Sequence, residues 1–143
     1  MVLLIDSDVL IDFLSEREPF TKNAKEIVKK AEEKTINAFL AAHSITNIYY
    51  ILRKQYSSSE RKKILMKLCQ YIPAVDIGHE MIVNALANNE FKDFEDCLQA
   101  ECARAVNADY IVTRNIEDYA FSKVPAILPE NLLKKLETPN EKR

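Results

Sequence analysis

Short apolar runs alternate with amphipathic segments along this chain, and that alternation limits its fold more than any other feature. The predicted strands are 2–5, 35–42, 73–77, 110–113 and 126–128, and a helical pattern follows each of them. Short, mostly apolar strands separated by helices are typical of a parallel sheet that is covered on both faces. The sequence therefore predicts an α/β fold with a central parallel sheet.

Polar residues mark the expected starts of several helices. Thr21 and Ser44 stand at the beginning of amphipathic segments, and Ser57 with Glu60 has the spacing of a capping box. Further helices are expected at 79–89, 93–107, 115–120 and 129–137. These elements fit one domain over 1–137, and residues 138–143 are expected to form a disordered tail.

The composition excludes several classes of protein. With Gly78 as its single glycine, the chain has neither a P-loop nor a dinucleotide-binding fingerprint, since each needs at least two glycines. The net charge of −2 provides no global positive field for nucleic-acid binding, so such binding must come from local patches. No apolar run reaches membrane length, and the sequence begins without a signal-peptide pattern.

The cysteines and histidines are expected to be structural. Cys69, Cys97 and Cys102 form no C-x-x-C pair and are typical of reduced core residues in a cytoplasmic protein. His43 and His79 are isolated in the sequence, whereas a zinc site needs closer or more numerous ligands.

Polar residues also follow the predicted strands, at the edge where parallel sheets place their sites. In open α/β sheets, ligands bind beyond the carboxyl ends of the strands. The candidates at this edge are Asp6 after the first strand, Ser44 and Asn47 after the second, and Thr113, Arg114 and Asn115 after the fourth.

The acidic candidates near the N-terminus have local explanations as well. Asp6 is a suitable N-cap, but Ser7 and Asp8 can cap the same helix, so a cap alone does not explain three polar residues. Asp8 and Asp12 are four residues apart on one helical face. We expect Asp8 in the first turn near the site, and Asp12 on the solvated face of the helix.

Two later acidic clusters are open to the same double interpretation. Asp93 fits an N-cap and Asp96 a first-turn position, yet Asp96 shares its helical face with apolar residues and would need a partner or a metal if buried. Asn115 fits an N-cap, with Asp118 three residues later, and a functional role is compatible with that.

Together these residues place oxygen ligands from distant segments at one edge of the predicted sheet. Mg²⁺ and Mn²⁺ prefer carboxylate oxygens and keep several waters. A cation held in this way lowers the pKa of a bound water and stabilises charge on a phosphate. The pattern therefore indicates hydrolysis of phosphodiesters or phosphomonoesters.

Four ordered motifs resemble those of PIN-domain proteins over nearly the whole chain. They are LLIDSDVLIDFL, AAHSITNIYYIL, FKDFEDCLQA and ADYIVTRNIEDY. The resemblance implies a three-layer α/β/α sandwich and an Mg²⁺- or Mn²⁺-dependent endoribonuclease. Within this family the chain is similar to VapC-like toxins, in a subgroup with the TNIYYI and TRN motifs. The resemblance therefore implies an RNA substrate and an antitoxin partner. We also expect a homodimer.

The resemblance assigns roles to individual residues. The metal ligands that it implies are Asp6, Asp93, Asp96 and Asp118, and the other catalytic positions are Thr113 and Asn115. Ser7 and Asn47 are supporting residues. Asn47 and Asn115 stand where many members carry acids, and each keeps an oxygen but loses a charge, which favours one metal over two.

Other interpretations remain open from the sequence. With a weakened metal site, the same fold would be a module that binds RNA or protein without efficient cleavage. The D-x-D pattern of Asp6 and Asp8 also resembles haloacid-dehalogenase-type phosphatases, although the later motifs come in the wrong order. The cations expected to contact RNA phosphates are Arg53, Lys54, Arg61, Lys62, Lys63 and Arg114, with a solvated helix face as the alternative for 61–67.

Overall fold

Five parallel strands form the centre of the molecule, in the order β3-β2-β1-β4-β5. In the computed structural model, which describes residues 1–137, they are β1 (Val2–Ile5), β2 (Asn37–Ala41), β3 (Ala74–Val75), β4 (Tyr110–Val112) and β5 (Ala126–Ile127). Each strand pairs in parallel with its neighbours. The predicted tail, 138–143, lies outside the described residues, and the assignment of 1–137 as one domain stays a prediction.

Seven α-helices within the described residues connect and cover these strands. They are α1 (Ser7–Leu14), α2 (Thr21–Glu32), α3 (Ala42–Ile51), α4 (Ser58–Tyr71), α5 (His79–Ala87), α6 (Phe94–Ala105) and α7 (Pro129–Leu136). Two short 3₁₀ helices, Leu52–Lys54 and Ile116–Tyr119, follow α3 and β4. No helix within residues 1–137 combines the length and the apolar character that crossing a membrane requires.

The sheet separates two apolar cores, because successive strand residues point to opposite faces. Leu3 and Ile5 of β1 are fully buried in one core, with residues of α1, α2, α3, α4 and α7. Leu4, between them, is fully buried in the other core, with residues of α6 and Tyr119. The three-layer α/β/α sandwich with a central parallel sheet is thereby confirmed.

The strand order creates a crevice between β1 and β4. The chain first winds outward from β1 to β2 and β3, and then returns to the other side of β1 to form β4. Ile5 pairs with Val112 at the carboxyl ends of these two strands. The Asp6 amide continues the pairing by donating to the Val112 carbonyl oxygen at 2.9 Å. Such a reversal of direction is where open α/β sheets bind ligands.

Some predicted helix starts were correct and others were wrong. Ser57 and Glu60 cap α4 reciprocally, as predicted. Thr21 does not cap α2, since Phe20 occupies the N-cap position and the buried Thr21 hydroxyl has no hydrogen-bond partner. Ser44 does not begin α3, because the helix starts at Ala42 as soon as the strand ends.

Three helices end in a left-handed residue that is not glycine. Glu16, Lys34 and Asn107 have φ values of 52°, 63° and 53°, and they follow α1, α2 and α6. This conformation is strained for residues with a Cβ, and glycine is its usual occupant. Gly78 instead precedes α5 in an extended conformation. Because the chain has a single glycine, non-glycine residues adopt the strained left-handed conformation at these three helix ends.

Candidate active site

Asp6 is the centre of the candidate site, held at the end of β1 by four side-chain donors. The hydroxyls of Thr113 and Tyr119 both donate to Asp6 Oδ2, each at 2.9 Å. Gln99 Nε2 and the Ser7 hydroxyl approach Asp6 Oδ1 at the longer distance of 3.4 Å. Because both contacts to Oδ1 are long, this oxygen keeps acceptor capacity for a further ligand.

Asp6 occupies the N-cap position of α1 without acting as a cap. Its backbone is extended, and its side chain makes no capping hydrogen bond. The carboxylate is turned instead toward the crevice between β1 and β4, where it is only 9% exposed. The local explanation for Asp6 is therefore wrong.

The segment after β4 binds the first turn of α1. Thr113 is fully buried, and its hydroxyl accepts from the Asn115 amide at 3.0 Å while it donates to Asp6. Asp8 Oδ2 accepts from the Arg114 amide at 3.2 Å and from Asn115 Nδ2 at 3.1 Å. Asn115 is thus a partner of Asp8, and its side chain does not cap the following 3₁₀ helix.

Asp8 lies in the first turn of α1 beside the site, as predicted. Burial, followed by the nearby charge of Asp6, raises the pKa of Asp8 to about 6, and hydrogen bonding from Arg114 opposes this rise. Its second oxygen, Oδ1, is buried without a hydrogen-bond partner.

Asp12 is buried, which corrects the expectation of a solvated face. Its side chain is 2% exposed and forms an ion pair with Arg114, whose side chain is 25% exposed. Arg114 Nε donates to Asp12 Oδ2 at 2.6 Å and Nη2 donates to Oδ1 at 3.2 Å. The guanidinium also lies 4.0 Å from the ring centroid of Phe20. These contacts occupy much of a side chain that was expected to bind RNA.

Further carboxylates crowd around Asp6 from α6 and the second 3₁₀ helix. Asp93 caps α6 by accepting from the Asp96 amide at 3.0 Å. Burial, followed by the charges of Asp93, Asp118, Asp6 and Glu95 in that order, raises the pKa of Asp96 to about 7. Burial and neighbouring carboxylates also raise the pKa of the exposed Asp118. Four acids from three distant segments therefore lie close enough to repel one another.

Several residues of the site were missed from the sequence. Gln99 is 3% exposed and bridges the site by donating from Nε2 to the Ser44 hydroxyl at 2.9 Å and toward Asp6. Tyr119 is also buried, and burial followed by the charge of Asp6 raises the pKa of its hydroxyl. The mid-helix glutamine and the tyrosine have no local pattern that distinguishes them from ordinary core residues.

His43 was expected to be purely structural, yet it lies within the electrostatic reach of the site. Burial lowers its pKa, and the charges of Glu95 and Asp6 oppose this shift. Its Nδ1 atom is buried without a hydrogen-bond partner. Its position at the start of α3, where β2 delivers it to the carboxyl edge, was the signal that could have identified it.

The two supporting residues occupy different positions. Ser7 contacts Asp6 directly, at a long distance. Asn47 is half-buried on α3, about one turn beyond Ser44 and on the same helical face.

Arg53 and Lys54, predicted to contact RNA, lie at the far end of α3. They line a cleft of about 450 Å³ with Arg17. Arg53 also donates to the Tyr50 carbonyl oxygen at 2.9 Å and stacks over the Tyr50 ring. Because α3 starts at the site and rises about 1.5 Å per residue, the cleft is roughly 15 Å away.

The donor set fits a hard cation that keeps most of its waters. In the part of the chain that the structure describes, no three His, Cys, Asp or Glu side chains form a ready cage for a metal ion. Asp6 Oδ1 and Asp96 nevertheless provide carboxylate oxygens among carboxylates that repel one another, and Gln99 Oε1 is buried without a hydrogen-bond partner. Mg²⁺ is commonly bound by one or two carboxylates and water, and Mn²⁺ accepts similar ligands. Asp6 and Asp96 would hold such an ion, with Asp93 and Asp118 nearby.

Comparisons with known proteins concern the family and the fold. A family model described as PIN domain matches residues 2–117. None of the curated proteins matches the chain significantly.

Similar solved structures match along nearly their full length. One of them is VapBC2 from Rickettsia felis, bound to a DNA fragment from its promoter. It is 15% identical, the match covers 90% of this chain and 97% of the VapBC2 chain, and the TM-score is 0.59. FitAB bound to an IR36 DNA fragment is 15% identical with 90% and 95% coverage and a TM-score of 0.63. FitAcB from Neisseria gonorrhoeae is 14% identical with 91% and 99% coverage and a TM-score of 0.60. At such identities the likeness shows the fold alone.

Proposed function

This chain belongs to the PIN-domain family, and from that membership we propose that it is a metal-dependent endoribonuclease that hydrolyses RNA phosphodiester bonds. We further propose that it is the VapC-like toxin of a toxin–antitoxin pair, from the subgroup with the TNIYYI and TRN motifs. Family membership replaces the phosphatase interpretation, because the PIN domain match covers both Asp6 and Asp8.

One observation carries the proposed nuclease activity. Buried donors hold Asp6 at the crevice between β1 and β4, and Asp96, Asp93 and Asp118 lie around it. None of these four carboxylates forms an ion pair within residues 1–137. Structural stability alone does not favour this arrangement, since crowded carboxylates repel one another. A bound divalent cation removes that cost, which is the reason to assign the cluster to metal binding.

The residues of the site would divide the work as follows. Asp6 and Asp96 hold Mg²⁺ or Mn²⁺, and Asp93 and Asp118 complete the acidic surroundings. When bound, the ion supplies an acidified water and stabilises negative charge on the phosphate. Thr113 fixes the orientation of Asp6, while Asn115, Ser7 and Asn47 support the site through their neighbours.

Protonation competes with metal binding at Asp96. Its pKa of about 7 means that a large fraction of this carboxyl carries a proton at neutral pH before the ion arrives. Ligand carboxylates must be ionised, so cation binding would release that proton.

The partners follow from the same proposal. The similar structures named VapBC2 and FitAB are assemblies bound to DNA fragments, which supports an antitoxin partner for this chain. We also propose that it forms a homodimer in the cytoplasm and acts on RNA there.

A second candidate function is an RNA- or protein-binding module that does not cleave. Two observations favour it. The Asn115 side-chain amide donates a hydrogen bond to Asp8. Within residues 1–137, no group of three His, Cys, Asp or Glu side chains is arranged to hold a metal ion. The two candidates differ in whether the bound RNA is cut.

A cleavage assay with a metal series separates these functions. Purified protein is incubated with varied RNAs in EDTA, Mg²⁺ or Mn²⁺, alongside Asp6→Asn and Asp96→Asn. The matched control is Asp76→Asn, since Asp76 is an exposed carboxylate after the edge strand β3. The nuclease proposal expects metal-dependent cleavage that both site variants lose and the control keeps. RNA that is bound but left intact under all conditions supports the binding module instead.

A further inference from the structure

Two clefts beside the candidate site meet at Phe121. The first, of about 340 Å³, contains Asp93, Asp96 and Asp118. The second, of about 250 Å³, contains Arg104 and Lys123. Glu90, Phe91 and Phe121 line both clefts. The first cleft also contains Glu117 and Lys92, and the second also contains Glu101. Phe121 therefore lies between a strongly acidic cleft and one in which two cations balance two carboxylates.

Phe121 is a large apolar residue that lies mostly outside the core, exposed to solvent. Its side chain is 60% exposed, in the segment that follows the second 3₁₀ helix, whereas Phe91 is half-buried among apolar residues. An exposed aromatic ring beside a charged site is a common recognition element for unpaired bases, because every base offers a flat face for stacking.

The acidic excess of the first cleft is absent from the second, where Arg104 and Lys123 balance Glu90 and Glu101. Asp96 lies in the first turn of α6 and Arg104 in the last, so they are about 12 Å apart along the axis. Arg104 pairs with Glu101 but remains 57% exposed. Lys123 is exposed, and none of the ion pairs within the described residues includes it. Exposed cations about 12 Å from Asp96 along the helix axis suit a phosphate further along the strand whose first phosphate is at the carboxylates.

We propose that Phe121, backed by Phe91, is a stacking platform for an unpaired RNA base next to the cleaved phosphate. Arg104 and Lys123 bind a phosphate further along the same strand. This inference rests on the proposed nuclease function and requires the base beside the cleaved phosphate to be unstacked, since neighbouring bases cover both faces of a base inside a duplex. The exposed cations Arg104 and Lys123 beside the ring favour a nucleic acid over an apolar peptide segment as the occupant.

The test combines a protein change with the matching change in RNA. Phe121→Ala, Phe121→Leu and Phe121→Trp are compared with the wild type on a single-stranded oligoribonucleotide that the wild type cleaves. A second oligonucleotide lacks only the base beside the cleavage site. Met66→Ala is the matched control, because Met66 is 72% exposed on α4, in the other helical layer. Thermal unfolding confirms that each variant is folded.

If Phe121 stacks on this base, removing the ring and removing the base eliminate the same contact, so the two losses of affinity should not add. Base–aromatic stacking contributes roughly 5- to 140-fold in affinity, so we expect about a tenfold loss of RNA binding and kcat/KM for Phe121→Ala. Phe121→Leu should lose nearly as much, and Phe121→Trp should retain binding. Phe121→Ala and the missing base together should cost about tenfold, not a hundredfold. Met66→Ala should match the wild type.

Other outcomes overturn the platform in distinguishable ways. If the wild type neither binds nor cleaves RNA, the proposed nuclease function is wrong and the platform is wrong with it. If the wild type is active and Phe121→Ala is within twofold of it, or the two losses multiply, only the platform is wrong. If Phe121→Ala leaves RNA cleavage intact but abolishes neutralisation by the co-expressed antitoxin, the ring contacts a protein instead.

Discussion

The Asp12–Arg114 ion pair should be among the most sensitive contacts in this protein. Removing one partner of a buried pair typically costs about 3–5 kcal/mol, because the other charge is left uncompensated. The guanidinium is 25% exposed and can recover some hydration, so we expect about 3 kcal/mol for Asp12→Ala. The carboxylate is 2% exposed and cannot, so Arg114→Met should cost about 4–5 kcal/mol. For a chain of 143 residues, whose total stability is roughly 7–20 kcal/mol, either loss is large.

Replacing both partners should be much less harmful than replacing either one. Apolar side chains of similar size often substitute for a buried ion pair with little net change. We expect Asp12→Leu with Arg114→Met to lie within about 2 kcal/mol of the wild type in urea unfolding followed by circular dichroism. Single variants that each cost under about 1 kcal/mol, or a double variant that costs the sum of both, would refute this reasoning.

The same double variant tests whether Arg114 also contacts RNA. Its backbone amide binds Asp8, and the neighbouring Thr113 fixes Asp6, so loss of the pair alone should loosen the site. If Arg114 only positions this segment, a stable double variant should recover most of the RNA cleavage. If Arg114 binds phosphate, the double variant should be stable and still weak in RNA binding.

Three further predictions concern single residues. In the metal-free protein, Asp96 has a folded pKa of about 7 against 3.8 unfolded, so its ionisation lowers stability as pH rises from about 4 to 7. Asp96→Asn should therefore raise the melting temperature in EDTA at pH 8 but hardly at pH 4, and an equal shift at both pH values would contradict this. Lys34→Gly should stabilise the protein by about 0.5–1 kcal/mol in urea unfolding, because φ is 63° there, while the same change at the helical Lys29 should destabilise it. Tyr119→Phe removes one donor from Asp6 Oδ2 and should lower metal affinity or cleavage about 10- to 100-fold, as loss of an outer partner of a ligand does. An unchanged metal titration and rate for Tyr119→Phe would show that the remaining donors, Thr113, Gln99 and Ser7, fix Asp6 without it.

The layered fold could be predicted because it depends on patterns that are local in sequence. Runs such as VLLI and YIV identify buried strands by themselves, and their alternation with helices implies the parallel sheet. The position of Asp6 followed from the same reasoning, since strand ends converge at one edge. The helix starts at Thr21 and Ser44 were harder, because a hydroxyl residue within a first turn resembles a cap in sequence.

The environment of individual side chains depends on partners that are distant in sequence. The pattern of its own helix predicts that Asp12 is solvated. Its buried charge is compensated by Arg114, which lies 102 residues later in the sequence. Gln99 and Tyr119 likewise become site residues only through Asp6, 93 and 113 residues away. Periodicity carries no information about such pairings, so the polar network around Asp6 could not be derived from it.

The strand order has a consequence for the newly made polypeptide. β1 leaves the ribosome first, but its neighbour β4 and the donors Thr113 and Tyr119 follow more than a hundred residues later. At a synthesis rate of about 5–20 residues per second, roughly 5–20 s pass between the synthesis of Asp6 and that of the residues that orient it. A nascent chain halted before β4 therefore presents an open strand edge and no assembled centre. The candidate centre around Asp6 can therefore assemble only after β4 and Tyr119 have been made.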